Sequence, residues 1–313
     1  MGIAFFGAIL ASLFIPGVIA WTKAKASGRK GAGIFQPIWD MVRLFRKGSI
    51  YSITTSFIFQ IAPTIYFSTI VVALLFLPFG SEAGFFGFDG DFIFFSYLLA
   101  LGKFMLILNA LDVGSGFEGM GANREALYSM LIEPAFFILM GSFALFTEHA
   151  SFSELYSFIL IGETTGLEYG HAHLAYLLGG LAIYLLAQIA MVENSRLPVD
   201  DPRTHLELTM VHEVMVLDNS GFDMGLIQLG TGLKFALYGS LIANCLFIKD
   251  ASLGLNLGIF FLTQLTFAVV VGLLESFRAR NKMLKNAQFL LTLSGVALLA
   301  FFTVLILTEK IQG

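Results

Sequence analysis

The sequence predicts an all-α polytopic membrane protein of about eight transmembrane helices, with an interfacial amphipathic helix and a helical cytoplasmic loop added to the bundle. Three observations carry this. The chain is 57 % hydrophobic and only 13 % charged, with a mean hydropathy of +0.82, well beyond a soluble domain of 313 residues. Its apolar residues gather into runs of the ~20 residues that a helix needs to cross a hydrocarbon core. Its charges gather into the short stretches between those runs.

The runs fall at 3–21, 57–79, 92–113, 127–147, 174–192, 226–248, 254–275 and 287–308. The first is expected to be a retained span rather than a cleaved signal, because no basic residue precedes it and ~19 apolar residues exceed an ordinary signal core. No period of 20–50 residues repeats and no pair of interrupted helices stands in inverted order, so one integral domain over 1–313 is expected. Fourteen Lys and Arg residues fall between spans one and two, three and four, five and six, and seven and eight, whereas only Lys249 and Lys310 fall on the other side. Positive charge is retained on the cytoplasmic face, which places both termini outside. The expected location is a cell (inner) membrane.

Between the first two spans Ile34, Ile38, Met41, Val42 and Phe45 recur at helical spacing beside Arg43, Arg46 and Lys47. This fits a helix lying in the membrane interface, or equally one packed on protein. The outer segment 148–173 carries Glu148, Glu154, Glu163 and Glu168 with His149, His171 and His173, but no third ligand at metal-binding spacing joins the His-x-His pair. A lone cysteine, Cys245 in an apolar run, reads as a small buried hydrophobe and excludes a four-thiolate cluster within this chain. The acidic net charge of −4 argues against nucleic acid. Gly114-Ser115-Gly116-Phe117-Glu118-Gly119 has the letters of a dinucleotide fingerprint, yet it follows a membrane span instead of a strand. It reads as a glycine-rich bend with Glu118, Arg124 and Glu125 at its rim.

Ionisable groups within spans are costly and therefore carry the functional expectation. Lys103 lies near the middle of the third span, with Glu133 about two turns into the fourth and Lys234 about two turns into the sixth. Asp112, Glu193 and Glu275 stand at the cytoplasmic ends of three others. Together they suggest a file able to pass protons inward. The plainer alternative is that Lys103 or Lys234 pairs with Glu133 or Asp112 to hold helices in register. Asn109, Gln188, Asn244 and Gln264 read as glue between helices.

The loop from Glu193 to Gly225 carries seven acids, Glu193, Asp200, Asp201, Glu207, Glu213, Asp218 and Asp223, against Arg196 and Arg203. Asp201 before Pro202 is a helix start, and Leu206, Met210, Val211, Val214, Met215 and Leu217 give an apolar face. His205 and His212 share the polar side. His212-Glu213 lacks the second histidine of a zinc-protease motif. An ordered surface that docks a partner, or feeds protons to the spans, is expected.

Three stretches carry a resemblance: Gly33-Ile34-Phe35-Gln36-Pro37, then Gly116-Phe117-Glu118-Gly119-Met120-Gly121-Ala122-Asn123-Arg124-Glu125-Ala126, then Glu193-Asn194-Ser195-Arg196-Leu197-Pro198-Val199-Asp200-Asp201-Pro202. With the eight spans they resemble the family of NADH dehydrogenase subunit 1 and formate hydrogenlyase subunit 4, over essentially the whole chain. The resemblance implies a coupling subunit that joins a peripheral electron-transfer arm to antiporter-like ion-pumping membrane subunits. It implies that peripheral hydrogenase-like and iron–sulfur subunits hold the clusters, with a nickel–iron centre or quinone also belonging to partners. By position, Glu118, Glu125, Glu133, Glu193, Glu207 and Glu213 would lead from that junction into the membrane. Thr204 to Glu213 departs from the Phe-Asp-Leu type of run usual in complex I, which sets the chain nearer the hydrogenase-related branch. A quinone-site subunit, a passive anchor for the peripheral arm and an independent transporter are the other readings.

Overall fold

The computed structural model describes residues 2–159, 169–200, 210–249 and 251–312. It is all-helical: α1 (Ile3–Ala26), α2 (Gln36–Phe45), α3 (Phe57–Leu74), α4 (Asp91–Asp112), α5 (Gly116–Thr147), α6 (Phe152–Leu155), α7 (Tyr169–Glu193), α8 (His212–Met215), α9 (Gly221–Asn244), α10 (Leu253–Phe277) and α11 (Met283–Gln312). Eight of these, all but α2, α6 and α8, are long and apolar enough to cross a membrane. Among the described residues there is no strand.

The central helix is α9. Of its most apolar stretch 83 % is buried, against 28–56 % for the other seven, so it alone has almost no outward face. Around it pack α1, α2, α3, α7 and α10, while α5 gathers α4, α7, α8 and α11. Small residues permit the close approaches, as expected where lipid supplies no hydrophobic drive between helices. At Gly17 the carbonyl of Ile34 lies where a side chain would stand, which seats the start of α2 on α1; at Gly102 it is the Thr69 hydroxyl of α3.

Several boundaries differ from the apolar runs. The second span ends at Leu74 rather than 79, and residues 75–90 fold back so that Phe85 N–H reaches the Leu75 carbonyl at 2.8 Å. The sixth begins at Gly221, because its first turn is polar and escapes a hydropathy reading. The largest correction concerns the glycine-rich stretch. Only Gly114, at φ +74°, is a bend; from Gly116 the chain is helical without interruption to Thr147. Glu118, Arg124 and Glu125 therefore stand on a rigid helix, not at a loop rim.

In the acidic loop, the helix start at Asp201 and Pro202, together with Arg203, His205, Leu206 and Glu207, lies outside the described residues. Of its apolar face, Met210, Val211, Val214 and Met215 are buried and Leu217 is exposed. In the segment 148–173 Glu163, Glu168 and the side chains of His171 and His173 lie outside the described residues as well; His149 and Glu154 pair at 3.4 Å on the surface. Cys245 is buried. Asn109, Asn244 and Gln264 bond to backbone carbonyls of other segments, at Phe59, Pro78 and Ala236.

Replacing Gly102 by valine should drive a side chain into Thr69 and separate α3 from α4, costing on the order of 1–3 kcal/mol. Gly258→Val, where nothing stands within 4 Å, is the control. Thermal unfolding in detergent should show a lowered midpoint for the first only; equal midpoints would contradict the packing.

Candidate functional site: a buried ionic junction

Lysines from two spans converge on one carboxylate. Glu193 is the last residue of α7, yet it does not reach the surface. Ser195, at φ +50°, adopts the left-handed conformation that closes a helix, with Ser195 N–H on the Val192 carbonyl at 3.0 Å and Arg196 N–H on Met191 at 2.7 Å. The chain that follows is tucked into the bundle, with Asn194, Ser195, Leu197, Val199 and Asp200 all buried.

Lys103 Nζ of α4 lies 2.8 Å from Glu193 Oε1 and 3.1 Å from Glu125 Oε1 of α5. Lys234 Nζ of α9 lies 2.7 Å from Glu193 Oε2 and donates to the Glu193 carbonyl oxygen at 3.0 Å. All four side chains are at most 7 % exposed. Two ammonium groups thus face two carboxylates in an apolar interior. The set is neutral as a whole, and deleting any one member strands a charge. Lys103 sits nine residues from the end of α4 at Asp112, ~14 Å along the axis, so the junction is deep but lies toward the Asp112 end.

Two cavities open onto this junction, and a third meets one of them at His212. A cavity of about 10 Å³, room for one water molecule, is lined by Tyr66, Lys103, Glu125, Glu193, His212 and Lys234. Lys103 and Glu193 also line a second, of about 40 Å³, which reaches Ser96, Tyr97, Tyr238 and the partly buried Glu133 on the flank of α5. His212 also lines a third, of about 170 Å³, between α1, α2, α9 and the loop, walled by Pro16, Met41, Arg196, Glu213 and Phe235. Polar groups therefore connect the loop, the junction and the bundle flank in sequence.

Burial pushes the His212 imidazole below its usual value; nearby Glu125 opposes this, and Lys234, Lys103 and Arg196 reinforce it. The ring is therefore neutral near pH 7. Its own backbone N–H and that of Val211 donate to Asp200 Oδ2, both at 3.1 Å, while Asp200 Oδ1 takes Arg280 at 3.1 Å. A second buried carboxylate, Glu275 at the end of α10, holds Lys23 of α1 at 3.3 Å and Arg196 at 3.1 Å, and Arg196 also lies over the Phe235 ring. These ties pin the loop to the junction's rim.

The structure thus brings together Lys103, Glu125, Glu193 and Lys234, with Glu133 across a cavity and Arg196, Asp200, His212, Glu213 and Glu275 around the loop. It pairs the lysines with Glu193 and Glu125, not with Glu133 or Asp112. Asp112 is spent elsewhere: its carboxylate accepts from Ser56 N–H, Ser56 Oγ and Phe59 N–H at 2.7, 2.8 and 3.2 Å, capping α3. Glu118 is buried in the first turn of α5, where an acid suits the helix dipole. Arg124 donates to the Met210 carbonyl at 2.9 Å, and Asp218 is exposed. Tyr66 and Tyr238 escaped the sequence reading, because a tyrosine in an apolar run gives no signal of its own. Among the described residues no group of three or more His, Cys, Asp or Glu is gathered to ligate a metal.

The NADH dehydrogenase family model matches residues 2–307. Hydrogenase-4 component C of Escherichia coli (strain K12) is 28 % identical over 72 % of this chain and 67 % of its own. Formate hydrogenlyase subunit 4 of the same strain is 25 % identical over 70 % and 68 %. A chain from the structure of the membrane-bound sulfane sulfur reductase, an archaeal respiratory membrane complex, superposes with a TM-score of 0.77 over 96 % of each chain at 18 % identity, so the fold is shared.

The neutral His212 sets a pH dependence. As pH falls through the ordinary histidine range near 6.5, the unfolded chain takes up a proton that the folded chain refuses, so stability falls. Thermal midpoints in detergent from pH 8 to pH 5 should decline less in His212→Gln than in the unsubstituted protein; parallel declines would contradict the assignment.

Proposed function

We propose, from the premise that this chain belongs to the NADH dehydrogenase family, that it is the membrane coupling subunit of a complex I-like or energy-converting nickel–iron hydrogenase-type oxidoreductase. In this reading, redox chemistry in attached iron–sulfur and hydrogenase-like subunits displaces the loop around Asp200 and His212. The displacement changes the charge felt by the junction, and protons or sodium ions move by way of Glu193 and Glu133 toward antiporter-like membrane subunits. The observation that carries the reading is the pairwise sharing of cavity walls: His212 belongs to the loop cavity and the central one, and Lys103 and Glu193 belong to the central one and that of Glu133. Any movement of the loop that admits charge or water near His212 acts directly on Lys103 and Lys234.

The electrostatics favour a switch. Burial is the main force that keeps the His212 imidazole neutral and the two ammonium groups add to it, so admitting water at the ring or moving a lysine away favours its protonation. Glu133 on the bundle flank supports exit toward a neighbouring protein, since a carboxylate is costly against lipid. The cytoplasmic placement of the loop rests on the distribution of Lys and Arg. The relatives named hydrogenase-4 component C and formate hydrogenlyase subunit 4 support the hydrogenase-related branch.

A quinone-site subunit is the second reading, favoured by the cavity beside α2, whose apolar and polar walls suit an amphipathic ring. At about 170 Å³ it is smaller than the ~300–1,000 Å³ of ordinary small-molecule sites, which favours the first reading.

The test is made in the assembled complex reconstituted into liposomes. Glu133→Gln and Lys103→Met should leave electron transfer to artificial dyes near the unsubstituted rate while lowering the ion gradient by about fivefold or more. A passive anchor would keep its gradient in both variants, and that result would overturn the proposal.

A further inference from the structure

A groove of about 270 Å³ runs along the outer seam between α1 and α10, lined by Leu10, Phe14 and Val18 on one side and Phe261, Leu265 and Ala268 on the other. The one polar side chain in its wall, Gln264, turns its amide nitrogen inward to the Ala236 carbonyl at 2.9 Å and to Ser240 Oγ at 3.2 Å, leaving the channel apolar. On α1 the groove residues continue at helical steps through Trp21 to Lys25, which share the same face. Trp21 is exposed, and Lys25 Nζ lies 5.8 Å from the centre of its ring, an arrangement typical of the headgroup layer.

The end of the seam is positively charged. After α1 the chain reverses at Gly28, φ +67°, and Gly31 comes against Ala24, which brings Arg29 and Lys30 back to the last turn of the helix. Lys25, Arg29 and Lys30 are exposed, and none joins an ion pair among the described residues. By contrast, neighbouring Lys23 is held by Glu275. Between the helix ends the hydroxyls of Ser27 and Ser276 stand 3.1 Å apart and exposed. Val18 to Lys25 is seven residues, ~10 Å along the axis, comparable with the reach from a lipid phosphate into its acyl chain.

We propose that this seam binds an anionic glycerophospholipid from the surrounding bilayer, with one acyl chain in the groove and the phosphate beside Lys25 and the paired serine hydroxyls. The charge selects the occupant. Uncompensated cations at the mouth of an apolar channel match a lipid that is apolar along its length and anionic at its head.

Native mass spectrometry of the detergent-purified full chain, offered equal amounts of phosphatidylglycerol and phosphatidylcholine, tests this. The unsubstituted chain should retain one phosphatidylglycerol with a preference of about fivefold. Lys25→Gln should lose the preference, and Leu265→Trp, which fills the groove from its outer wall, should lose both lipids. In membranes, a photoreactive residue replacing Leu10 should form a lipid adduct. Equal retention of the two lipids, a preference surviving Lys25→Gln, retention unchanged by Leu265→Trp, or a protein adduct at position 10 would each overturn the proposal.

Discussion

Two ammonium groups share one carboxylate inside an apolar bundle, and much of the architecture follows from that arrangement. Lys103 and Lys234 come from α4 and α9, and Glu193 can serve both because α7 stops at it. If α7 ran one turn further, Glu193 would be a side chain on a helix wall, and its carbonyl would be taken within the helix instead of receiving Lys234. The left-handed Ser195 and the buried course from Leu197 to Asp200 are thus conditions of the junction. Glu125 completes neutrality, which explains why α5 must already be helical in the glycine-rich stretch that precedes it. Buried ion pairs are weak contributors to net stability compared with apolar packing. A set of four in a chain so rich in apolar residues therefore points to a role in the protein's work.

The junction is surrounded by ties that make it responsive to one segment. Asp200 receives two backbone N–H groups at the start of α8 and the guanidinium of Arg280, while Glu275 clamps Lys23 and Arg196. Between Arg196 and His212 the chain is held at both ends to carboxylates, and His212 reports directly into the cavity with both lysines. The outward faces, in contrast, carry exposed Leu, Phe and Ile residues that fit lipid or neighbouring helices.

Much of this was legible in the sequence. Eight apolar runs gave the eight long helices, and lysines inside two of them marked the junction, since a charge in hydrocarbon is costly wherever its partner comes from. The partners were not legible. Helical spacing gives the face of one helix but not its rotation against another, and Glu193 read as a helix end near water because hydropathy cannot show a loop folded inward. Glu125 was assigned to a bend because glycine suggests a turn; here Gly121 is packed against Val214 and Val211, a closeness that a helix in lipid uses and a bend does not need. Asp112 read as part of the carboxylate file, whereas three donors from the start of α3 occupy it.

The most direct measurement is a double-mutant cycle on the stability of the detergent-solubilised chain with Lys103→Met, Glu193→Gln and both together. A single coupled junction requires each single change to cost on the order of 3–5 kcal/mol through the charge it strands. The double change should cost less than their sum by about 0.5–3 kcal/mol. Strict additivity would show that Lys103 and Glu193 act independently, and would contradict the junction on which the coupling role rests.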